Sequence, residues 1–271
     1  MKIGLIGAQN SHSRNFCEAI NKKRPWEDVS ISYIYGGDDP AISKNLCDEF
    51  GLIDCSGEDE VIEKSDAIVI TYRKGSIHYQ PAINTIKAGK PLFNDKPFVT
   101  NICEAKEIIN LAKEKGVLLT GGSSLKSLPD LEKIKESIIS GSTVAISFSA
   151  DPLSEYDGYW FYGIHAVELC ITLCGLDFID VRAFNNNNVV ITNVAYADKL
   201  CILATSPQSN NLTISVSNNG KTICHHVPMN FQDVGPTEFV NMIKDKKSPR
   251  DYDYYIKAVE LTEKIIETGG L

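Results

Sequence analysis

The hydrophobic and polar positions of the first 120 residues alternate between two patterns. Short apolar runs predict strands over residues 2–6, 29–35, 67–71, 91–93 and 117–120. Between them, apolar side chains recur with helical periodicity and predict helices over residues 13–22, 40–49, 78–88 and 101–115. Strands that alternate with helices at this spacing are typical of a Rossmann-type, doubly wound parallel sheet.

The pattern changes after residues 121–122. Further helices are predicted over residues 128–140, 162–174, 238–244 and 254–268, and strands over residues 143–149 and within 178–227. In that last stretch apolar and polar residues alternate, and Asn219-Gly220 between two such runs predicts a hairpin. We therefore expect an α/β protein in which a dinucleotide-binding domain (1–121) precedes an α+β substrate and oligomerisation domain (122–271) with a mainly antiparallel sheet.

The turn after the first strand reads GAQNSH over residues 7–12. In the dinucleotide fingerprint three glycines allow the tight turn, the approach of pyrophosphate and the packing of helix on strand. Gly7 takes the first place, but Gln9 and His12 stand in the other two, so a cofactor turn and a purely structural turn explain the segment equally well. In a cofactor turn the helix N-terminus would bind phosphate. Side-chain donors would then come from Gln9, Asn10, Ser11, His12 and Ser13.

The second predicted strand ends in YGGDD over residues 35–39. An acidic residue at this place accepts hydrogen bonds from the adenosine ribose and repels a 2′-phosphate, which favours NAD over NADP. Asp38 is the candidate, and Gly36 and Gly37 would leave room for the adenosine. The alternative, a cap on the helix that Pro40 begins, is the interpretation we prefer for Asp39.

Lys96 lies at the carboxyl end of an inner predicted strand, between Asp95 and Pro97. Ligands of open α/β sheets bind beyond the carboxyl ends of the strands. Lys96 is therefore expected to face the crevice where a nicotinamide and a substrate would meet. Taken alone, without the strand that it ends, Lys96 is also compatible with a surface position.

Several motifs occur together along nearly the whole chain: G-x-x-G at the first turn, A-G-K-P-x-F-x-D-K-P over residues 88–97, and Y-G-I-H-x-V-E over residues 162–168. With Gly36-Gly37, they resemble the Gfo/Idh/MocA oxidoreductases. The resemblance implies a Rossmann domain followed by an antiparallel domain. It also implies an NAD(P)-dependent dehydrogenase acting on a CH–OH group of a sugar, polyol or related hydroxy compound, and Asp38 is the residue that favours NAD over NADP.

The resemblance further implies roles for single residues. Lys96 would hydrogen-bond the reacting hydroxyl and stabilise its alkoxide-like form, and His165 would take or return the proton. Without the resemblance, His165 is better explained as a hydrogen-bonded helix histidine. Tyr162 and Glu168 would assist His165. The residues expected near the nicotinamide end of the cofactor are Thr71, Tyr72, Arg73, His78, Asp95 and Lys96.

Two departures from the family pattern matter. Family members commonly carry an aspartate four residues before the histidine, and Phe161 stands there. This change predicts a weaker base or a different proton route, unless Glu168 or the Tyr162 hydroxyl compensates. A length of 271 residues is also short for the family, and the shortening falls in the substrate domain. The pocket would then be open, or closed by a partner subunit.

Net charge and cysteine content limit which partners and which cellular compartment are expected. A formal net charge of −8 disfavours nucleic acid and anionic membranes, because both attract positive surfaces. No secretory signal or membrane span is visible, so the eight cysteines are expected to be reduced thiols of a cytoplasmic protein. Only Cys170 and Cys174 share a helix face, and no metal site is expected.

Two other functions stay open at this point: a non-catalytic dinucleotide-binding or sensing protein, and a lyase or hydrolase that uses NAD for transient oxidation. The substrate is expected to be a small carbohydrate-like molecule. A homodimer or homotetramer is expected by analogy with similar proteins. Side chains before the histidine helix are candidates for the substrate walls, although aromatic clusters more often pack than recognise: Tyr156, Asp157, Tyr159, Trp160 and Tyr162.

Overall fold

The computed structural model describes residues 1–209, 211–228 and 231–271, which form two compact units. The first unit consists of Met1–Val99, Cys103–Ser124 and Phe231–Tyr252, and the second of Thr100–Ile102, Leu125–Asn230 and Asp253–Leu271. Within the described ranges, the structure contains no helix with the length and apolar character of a membrane span.

The first unit is built on a parallel sheet. Its strands are β1 (Lys2–Ile6), β2 (Ser30–Tyr35), β3 (Ile53–Asp54), β4 (Ala67–Ile70), β5 (Leu92–Asp95) and β6 (Leu119–Gly122). They lie in the order β3-β2-β1-β4-β5-β6, which is the Rossmann strand order and confirms the predicted sheet. All four residues of β4 are buried, as expected for a strand covered on both faces.

Helices pack around this sheet, and further helices belong to the second unit. They are α1 (Ser11–Cys17), α2 (Pro40–Phe50), α3 (Glu58–Lys64), α4 (Tyr79–Lys87), α5 (Ile102–Lys115), α6 (Asp130–Glu136), α7 (Trp160–Cys174), α8 (Val234–Asp245) and α9 (Asp253–Gly269). The helix α1 begins two residues before the predicted start, because Asn10 caps it by accepting a hydrogen bond from the His12 N–H. A π-helical turn over Glu18–Lys22 then extends it.

The sequence pattern predicts neither β3 nor α3. The strand β3 has two residues, and both are exposed, so no apolar run marks it. The helix α3 is mostly acidic and buries only Val61 and Ile62, which is too narrow an apolar stripe for a periodicity argument.

Near its C-terminal end the chain returns to the first unit, where α8 packs into the core of that unit. The ring of Phe239 lies 6.4 Å from that of Phe16 and 5.9 Å from that of Phe93, and all three side chains are buried. The structure therefore differs from two consecutive domains, because residues 231–252 return to the first unit. The physical reason is the apolar face of α8, which the local pattern cannot assign to one core or the other.

The second unit contains a sheet of strands β7 (Thr143–Ser149), β8 (Asp180–Asn186), β9 (Val189–Ala195), β10 (Leu200–Ser206), β11 (Leu212–Asn218) and β12 (Lys221–Val227). Their order is β12-β11-β7-β10-β9-β8. The sheet is mainly antiparallel, as predicted, but β7 and β10 pair in parallel because β7 lies between strands from later in the chain.

Asparagine turns define the register of this sheet. Asn219 and Gly220 have φ of +47° and +74° and join β11 to β12, which confirms the predicted hairpin. Asn187 and Asn188 have φ of +50° and +65° and join β8 to β9 in the same way. The helix α6 is shorter than the predicted 128–140, and the Ser137 hydroxyl donates to the Ile134 carbonyl at its end at 2.6 Å.

Candidate cofactor and catalytic residues

Gly7 forms the turn at the end of β1 in an environment that admits no side chain. Its φ is +99°, and a Cβ there would lie 2.6 Å from the backbone N of Tyr72. Its N–H donates to the Tyr35 carbonyl at 2.9 Å, and its own carbonyl accepts from the Thr71 hydroxyl at 3.0 Å. The turn is thus held against the carboxyl ends of β2 and β4. This close backbone approach is what the first glycine of a dinucleotide turn provides.

Gly36 and Gly37 end β2 in a similarly close arrangement. A Cβ on Gly36 would lie 2.4 Å from the Ser43 Cβ, and one on Gly37 would lie 2.3 Å from the Tyr35 hydroxyl oxygen. The absence of side chains therefore lets the end of β2 lie directly against α2. Gly37 borders the cavity described below, and its expected place beside an adenosine stays a prediction.

Asp38 connects the end of β2 to the first turn. Its carboxylate accepts from the backbone N–H of Ala8 at 2.7 Å and of Gln9 at 3.0 Å. Oδ1 accepts a second hydrogen bond from the Asp39 N–H at 3.1 Å, so Oδ2 is the oxygen with an acceptor site left for a ribose hydroxyl. Asp39 accepts from the Ile42 N–H at 3.0 Å and caps α2, which confirms the preferred interpretation of that residue.

The side chains of Asn10 and His12 join the first turn to Asp95. The Asn10 amide donates to Asp95 at 3.0 Å, and the His12 Nδ1 lies 2.8 Å from both carboxylate oxygens. An ionised carboxylate only accepts, so Nδ1 carries the proton. Burial of Asp95 would raise its pKa, but the charge and hydrogen bond of His12, with Lys96 nearby, hold that pKa below its usual range.

The other polar side chains of the turn differ in whether their hydrogen-bond donors are available to a phosphate. The Ser13 hydroxyl donates within the turn, to the carbonyls of Ala8 (3.0 Å) and Asn10 (2.7 Å), which corrects the expectation that it serves a phosphate. Ser11 is exposed and Gln9 half-buried, and their expected role as donors stays a prediction.

Lys96 is buried at the end of β5 rather than exposed. Lys96 is 2% exposed to solvent, and Asp95, the residue before it, is 0% exposed. Burial lowers the pKa of Lys96 to about 8; the Asp95 carboxylate opposes this effect and the Arg73 guanidinium adds to it. The lysine therefore changes its protonation state close to neutral pH, which the sequence does not reveal.

The segment after β4 is organised by His78. Its ring is fully buried, and Nε2 lies 2.8 Å from the Tyr72 carbonyl oxygen. Its Nδ1 has no hydrogen-bond partner among the described residues. Burial lowers the pKa of His78 and thereby favours its neutral form. Its position beside the nicotinamide, like those of Thr71, Tyr72 and Arg73, stays a prediction.

A cavity of about 560 Å³ opens beside the ends of β2 and β4. Its walls are formed by Tyr35, Gly37, Asp38, Gly57, Glu58, Asp59, Tyr72, Ile77 and Asn84. The Tyr72 hydroxyl donates to Glu58 at 2.6 Å across this wall. Glu58 and Asp59 belong to α3, and the sequence analysis misses both. Their only signal is an acidic run, EDE, ahead of an apolar pair.

In the second unit, His165 lies on α7 between aromatic rings. It is 3% exposed, and its ring centroid lies 5.4 Å from that of Phe148 and 5.6 Å from that of Tyr162. Tyr162 is 41% exposed. Phe161 is buried against Tyr156, with ring centroids 5.0 Å apart, so the place of the expected acid is apolar.

Glu168 follows His165 by one turn of α7 and is buried in an ion pair. Its Oε2 lies 3.7 Å from the Lys126 Nζ, and both side chains are 1% exposed. The Tyr254 hydroxyl contacts the same carboxylate at 3.3 Å and the Glu168 carbonyl at 3.0 Å. Lys126 and Tyr254 are not predicted from the sequence, because nothing in their local sequence distinguishes them from surface residues. The catalytic role of Glu168 stays a prediction.

The aromatic residues before α7 divide into two groups. Tyr159 and Trp160 are 2% and 8% exposed and belong to the core, which corrects their assignment as substrate walls. Tyr159 packs against Gly163, where a Cβ would lie 2.5 Å from the tyrosine ring. Tyr156, Asp157 and Tyr162 are accessible and stay candidates for that role.

The eight cysteines are free thiols. Cys170, Cys174 and Cys201 hydrogen-bond one another inside the second unit. In the part of the chain that the structure describes, no group of three or more His, Cys, Asp or Glu side chains is arranged to hold a metal ion.

Comparison with solved structures shows the fold. GenD2 from gentamicin A biosynthesis, solved in complex with NAD, superposes with a TM-score of 0.85 at 16% identity over 100% of this chain and 94% of that chain. UDP-N-acetylglucosamine 3-dehydrogenase from Acidithiobacillus ferrooxidans gives 0.81 at 16% identity over 99% and 97%. Apo scyllo-inositol dehydrogenase from Lactobacillus casei gives 0.85 at 14% identity over 100% and 96%.

Comparison with curated sequences is more limited in extent. Uncharacterized oxidoreductase YhhX of Escherichia coli (strain K12) is 27% identical over 169 residues, 55% of this chain and 49% of that protein. An uncharacterized oxidoreductase of Schizosaccharomyces pombe is 32% identical over 84 residues, 31% of this chain and 23% of that protein. The chain thus matches about half or less of the length of these relatives.

The family comparison concerns the Rossmann unit. Residues 1–123 match the model described as "Oxidoreductase family, NAD-binding Rossmann fold". The same residues carry the Gly7 turn, Asp38 and the Asp95-Lys96-Pro97 motif, on a sheet with the Rossmann strand order. Residues 1–123, somewhat less than half of this chain, are therefore similar to the NAD-binding Rossmann domain of the Gfo/Idh/MocA oxidoreductases.

Proposed function

We propose that this protein is an NAD-dependent dehydrogenase that interconverts an alcohol and a ketone on a sugar, polyol or related small molecule. The observation that carries the proposal is Lys96, a lysine buried at the end of β5 with a pKa of about 8 and tied through Asp95 to the cofactor turn. A buried ammonium is costly, and its retention is typical of functional sites. Two structurally similar proteins are named as dehydrogenases of a nucleotide sugar and of an inositol.

The first unit has the features that hold NAD. Gly7 brings the backbone of the turn close to the strand ends, where a pyrophosphate would lie. The cavity beside Gly37 has a volume within the range of about 300–1,000 Å³ that is typical of small-molecule sites. Asp38 would accept from the ribose hydroxyls. When bound, NAD accepts a hydride from the alcohol carbon.

Lys96 would act on the reacting oxygen. Its ammonium donates a hydrogen bond where negative charge develops as the hydroxyl loses its proton, and in a buried site this interaction is stronger than in water. Preorganised donors of this kind typically contribute about 10²–10³ in kcat. A pKa of about 8 leaves Lys96 largely protonated at neutral pH and able to release a proton under mildly basic conditions.

The contact between Asp95 and the first turn positions Lys96. Asp95 accepts from Asn10 and His12, so the backbone that carries Lys96 is attached to the cofactor turn. His12 thereby has a function that a glycine in the same place lacks. This link supports the interpretation of the segment as a modified cofactor turn.

His165 is proposed to carry the proton in the second unit. Imidazole titrates near neutral pH and both accepts and donates protons. Tyr162 lies against it and is accessible to solvent. Glu168 would act through α7, because its pairing with Lys126 holds the turn that follows His165.

The protein is proposed to assemble as a homodimer or homotetramer in the cytoplasm. The exposed face of the second sheet carries Ile191 opposite Phe184, which are 37% and 66% exposed. Burying this apolar surface against a second copy would stabilise an oligomer. The free thiols of all eight cysteines support a reducing compartment.

The test combines binding with turnover. NADH binding is followed by fluorescence, and a panel of sugars, inositols and amino-sugar derivatives is screened with NAD by absorbance of NADH. We expect Lys96→Met to abolish turnover while the Kd for NADH changes by less than about threefold, since Lys96 acts on the substrate. Lys106→Met, an exposed lysine on α5, is the matched control and should keep both. Full turnover in Lys96→Met would refute the assignment.

A second candidate is a dinucleotide-binding sensor without catalysis. It is favoured by Phe161, which places a buried aromatic ring where the resemblance implies an acid. A sensor would bind NADH in the same experiment but reduce no NAD with any compound of the panel. Net accumulation of NADH would exclude it.

A further inference from the structure

The cavity in the first unit is strongly acidic. Three of the residues that line it are carboxylates, Asp38, Glu58 and Asp59, and none of the described lining residues is a lysine or arginine. Asp38 follows β2, whereas Glu58 and Asp59 come from the first turn of α3. Two separate elements therefore place negative charge around one cavity.

The carboxylate of Glu58 is held at the cavity wall. The Tyr72 hydroxyl donates to it at 2.6 Å, and Tyr72 is 5% exposed. Burial and the Glu58 carboxylate raise the pKa of Tyr72 well above its usual value, so the phenol stays protonated and keeps donating. Tyr72 in turn follows β4 and contacts the Gly7 turn through its backbone. Glu58 is thus attached to the same turn that would hold the pyrophosphate.

We propose that Glu58 and Asp59, with Asp38, form an acidic wall that makes this site selective for NAD over NADP, and that Tyr72 positions Glu58 in that wall. The inference rests on the proposed NAD site. It adds two residues of α3 as determinants of cofactor choice and identifies the adenosine ribose as the group they face. A 2′-phosphate carries about −1.5 to −2 charges at neutral pH and would enter a cavity whose described lining residues include no lysine or arginine.

The expected size of the effect follows from Coulomb's law. A unit charge and a dianion about 8 Å apart in a water-like medium repel by about 1 kcal/mol, or roughly fivefold in Kd. Each carboxylate should therefore weaken NADPH binding by about three- to fivefold. The NADH/NADPH preference of the unmodified protein should exceed about tenfold at low salt.

The experiment measures the Kd of NADH and of NADPH by fluorescence titration, without any substrate. Glu58→Gln keeps an acceptor for Tyr72 and removes the charge, and Asp59→Asn does the same at the next position. Each should lower the preference for NADH about three- to fivefold, and the double variant about tenfold or more, through tighter NADPH binding. Glu63→Gln removes one charge from an exposed position of the same helix, outside the cavity, and should leave the preference unchanged.

Ionic strength provides a second readout that a steric cause would not move. Raising the salt from about 0.01 M to about 1 M shortens the Debye length from about 30 Å to about 3 Å and should reduce the preference for NADH. Equal Kd values for the two cofactors, or a preference that neither the variants nor salt change, would overturn the inference. If neither cofactor binds at millimolar concentration, the proposed function itself fails and the inference fails with it.

Discussion

Lys96 is predicted to lower the stability of the folded protein near neutral pH. Its pKa falls from 10.5 to about 8 on folding because the ammonium is buried. Each pH unit corresponds to about 1.4 kcal/mol, so the protonated lysine costs about 3 kcal/mol of folding free energy. Between pH 8 and 10.5 the unfolded chain binds more protons than the folded chain, and the free energy of unfolding rises with pH. The full cost is present below pH 8 and has disappeared above 10.5.

The perturbation that isolates this effect is Lys96→Met, an unbranched apolar side chain of similar shape. At pH 7 the variant should unfold at a higher urea concentration than the unmodified protein, with a gain of up to about 3 kcal/mol. At pH 10 most of this difference should be gone, because the lysine is by then largely neutral in the folded state. The difference between the two proteins cancels the titration of all other groups.

Urea unfolding followed by tryptophan fluorescence, at equal ionic strength and without cofactor, measures the difference. Lys106→Met is the control, and its effect should stay within about 0.5 kcal/mol at both pH values because the residue is exposed. A Lys96→Met variant that is less stable than the unmodified protein at pH 7, or a difference that does not shrink towards pH 10, would refute the reasoning. The burial of Lys96 would then not be the origin of its low pKa.

Three further predictions concern the turn, the second unit and the assembly. Gly7→Ala should lower the free energy of unfolding by at least about 2 kcal/mol and weaken NADH binding, because φ is +99° and the nearest backbone atom would lie 2.6 Å from the new Cβ. Gly51→Ala, with φ of +71° in open space, should lower it by only about 1 kcal/mol and leave NADH binding unchanged. Urea unfolding and NADH titration would check both variants. Lys126→Met should lower the free energy of unfolding by about 3–5 kcal/mol, because the Glu168 carboxylate would stay buried without its cation. Adding Glu168→Gln should recover part of that loss, and a double variant no more stable than Lys126→Met would count against the ion pair. Ile191→Asp should lower the oligomeric mass measured by light scattering without changing far-UV circular dichroism, and an unchanged mass would place the interface elsewhere.

Much of the fold follows from local sequence patterns. The run over residues 67–71 identifies a strand buried on both faces, and Asn219-Gly220 identifies a hairpin because few residues tolerate two consecutive positive φ angles. The strand β3 and the helix α3 are not predictable in this way. Their apolar surface is too small for a periodic signal, and they form because they pack on neighbouring elements.

The candidate site shows a similar division. Gly7, Asp38 and Lys96 are identified from their places at strand ends, since ligands of open α/β sheets bind there. The link from His12 to Asp95 spans 83 positions of the chain, and no local pattern announces it. The same holds for Glu58, which lines the cavity together with Tyr72 and accepts a hydrogen bond from its hydroxyl.

The sequence by itself determined the strand and helix alternation and the chemistry of the residues at the strand ends, because these depend on periodicity and on neighbours in the chain. Only the tertiary structure decided that α8 returns to the first core and that β7 pairs in parallel with β10. It also decided that Lys96 is buried and that three carboxylates surround one cavity. Burial, pKa and charge clustering arise from residues far apart in sequence, and folding alone brings them together.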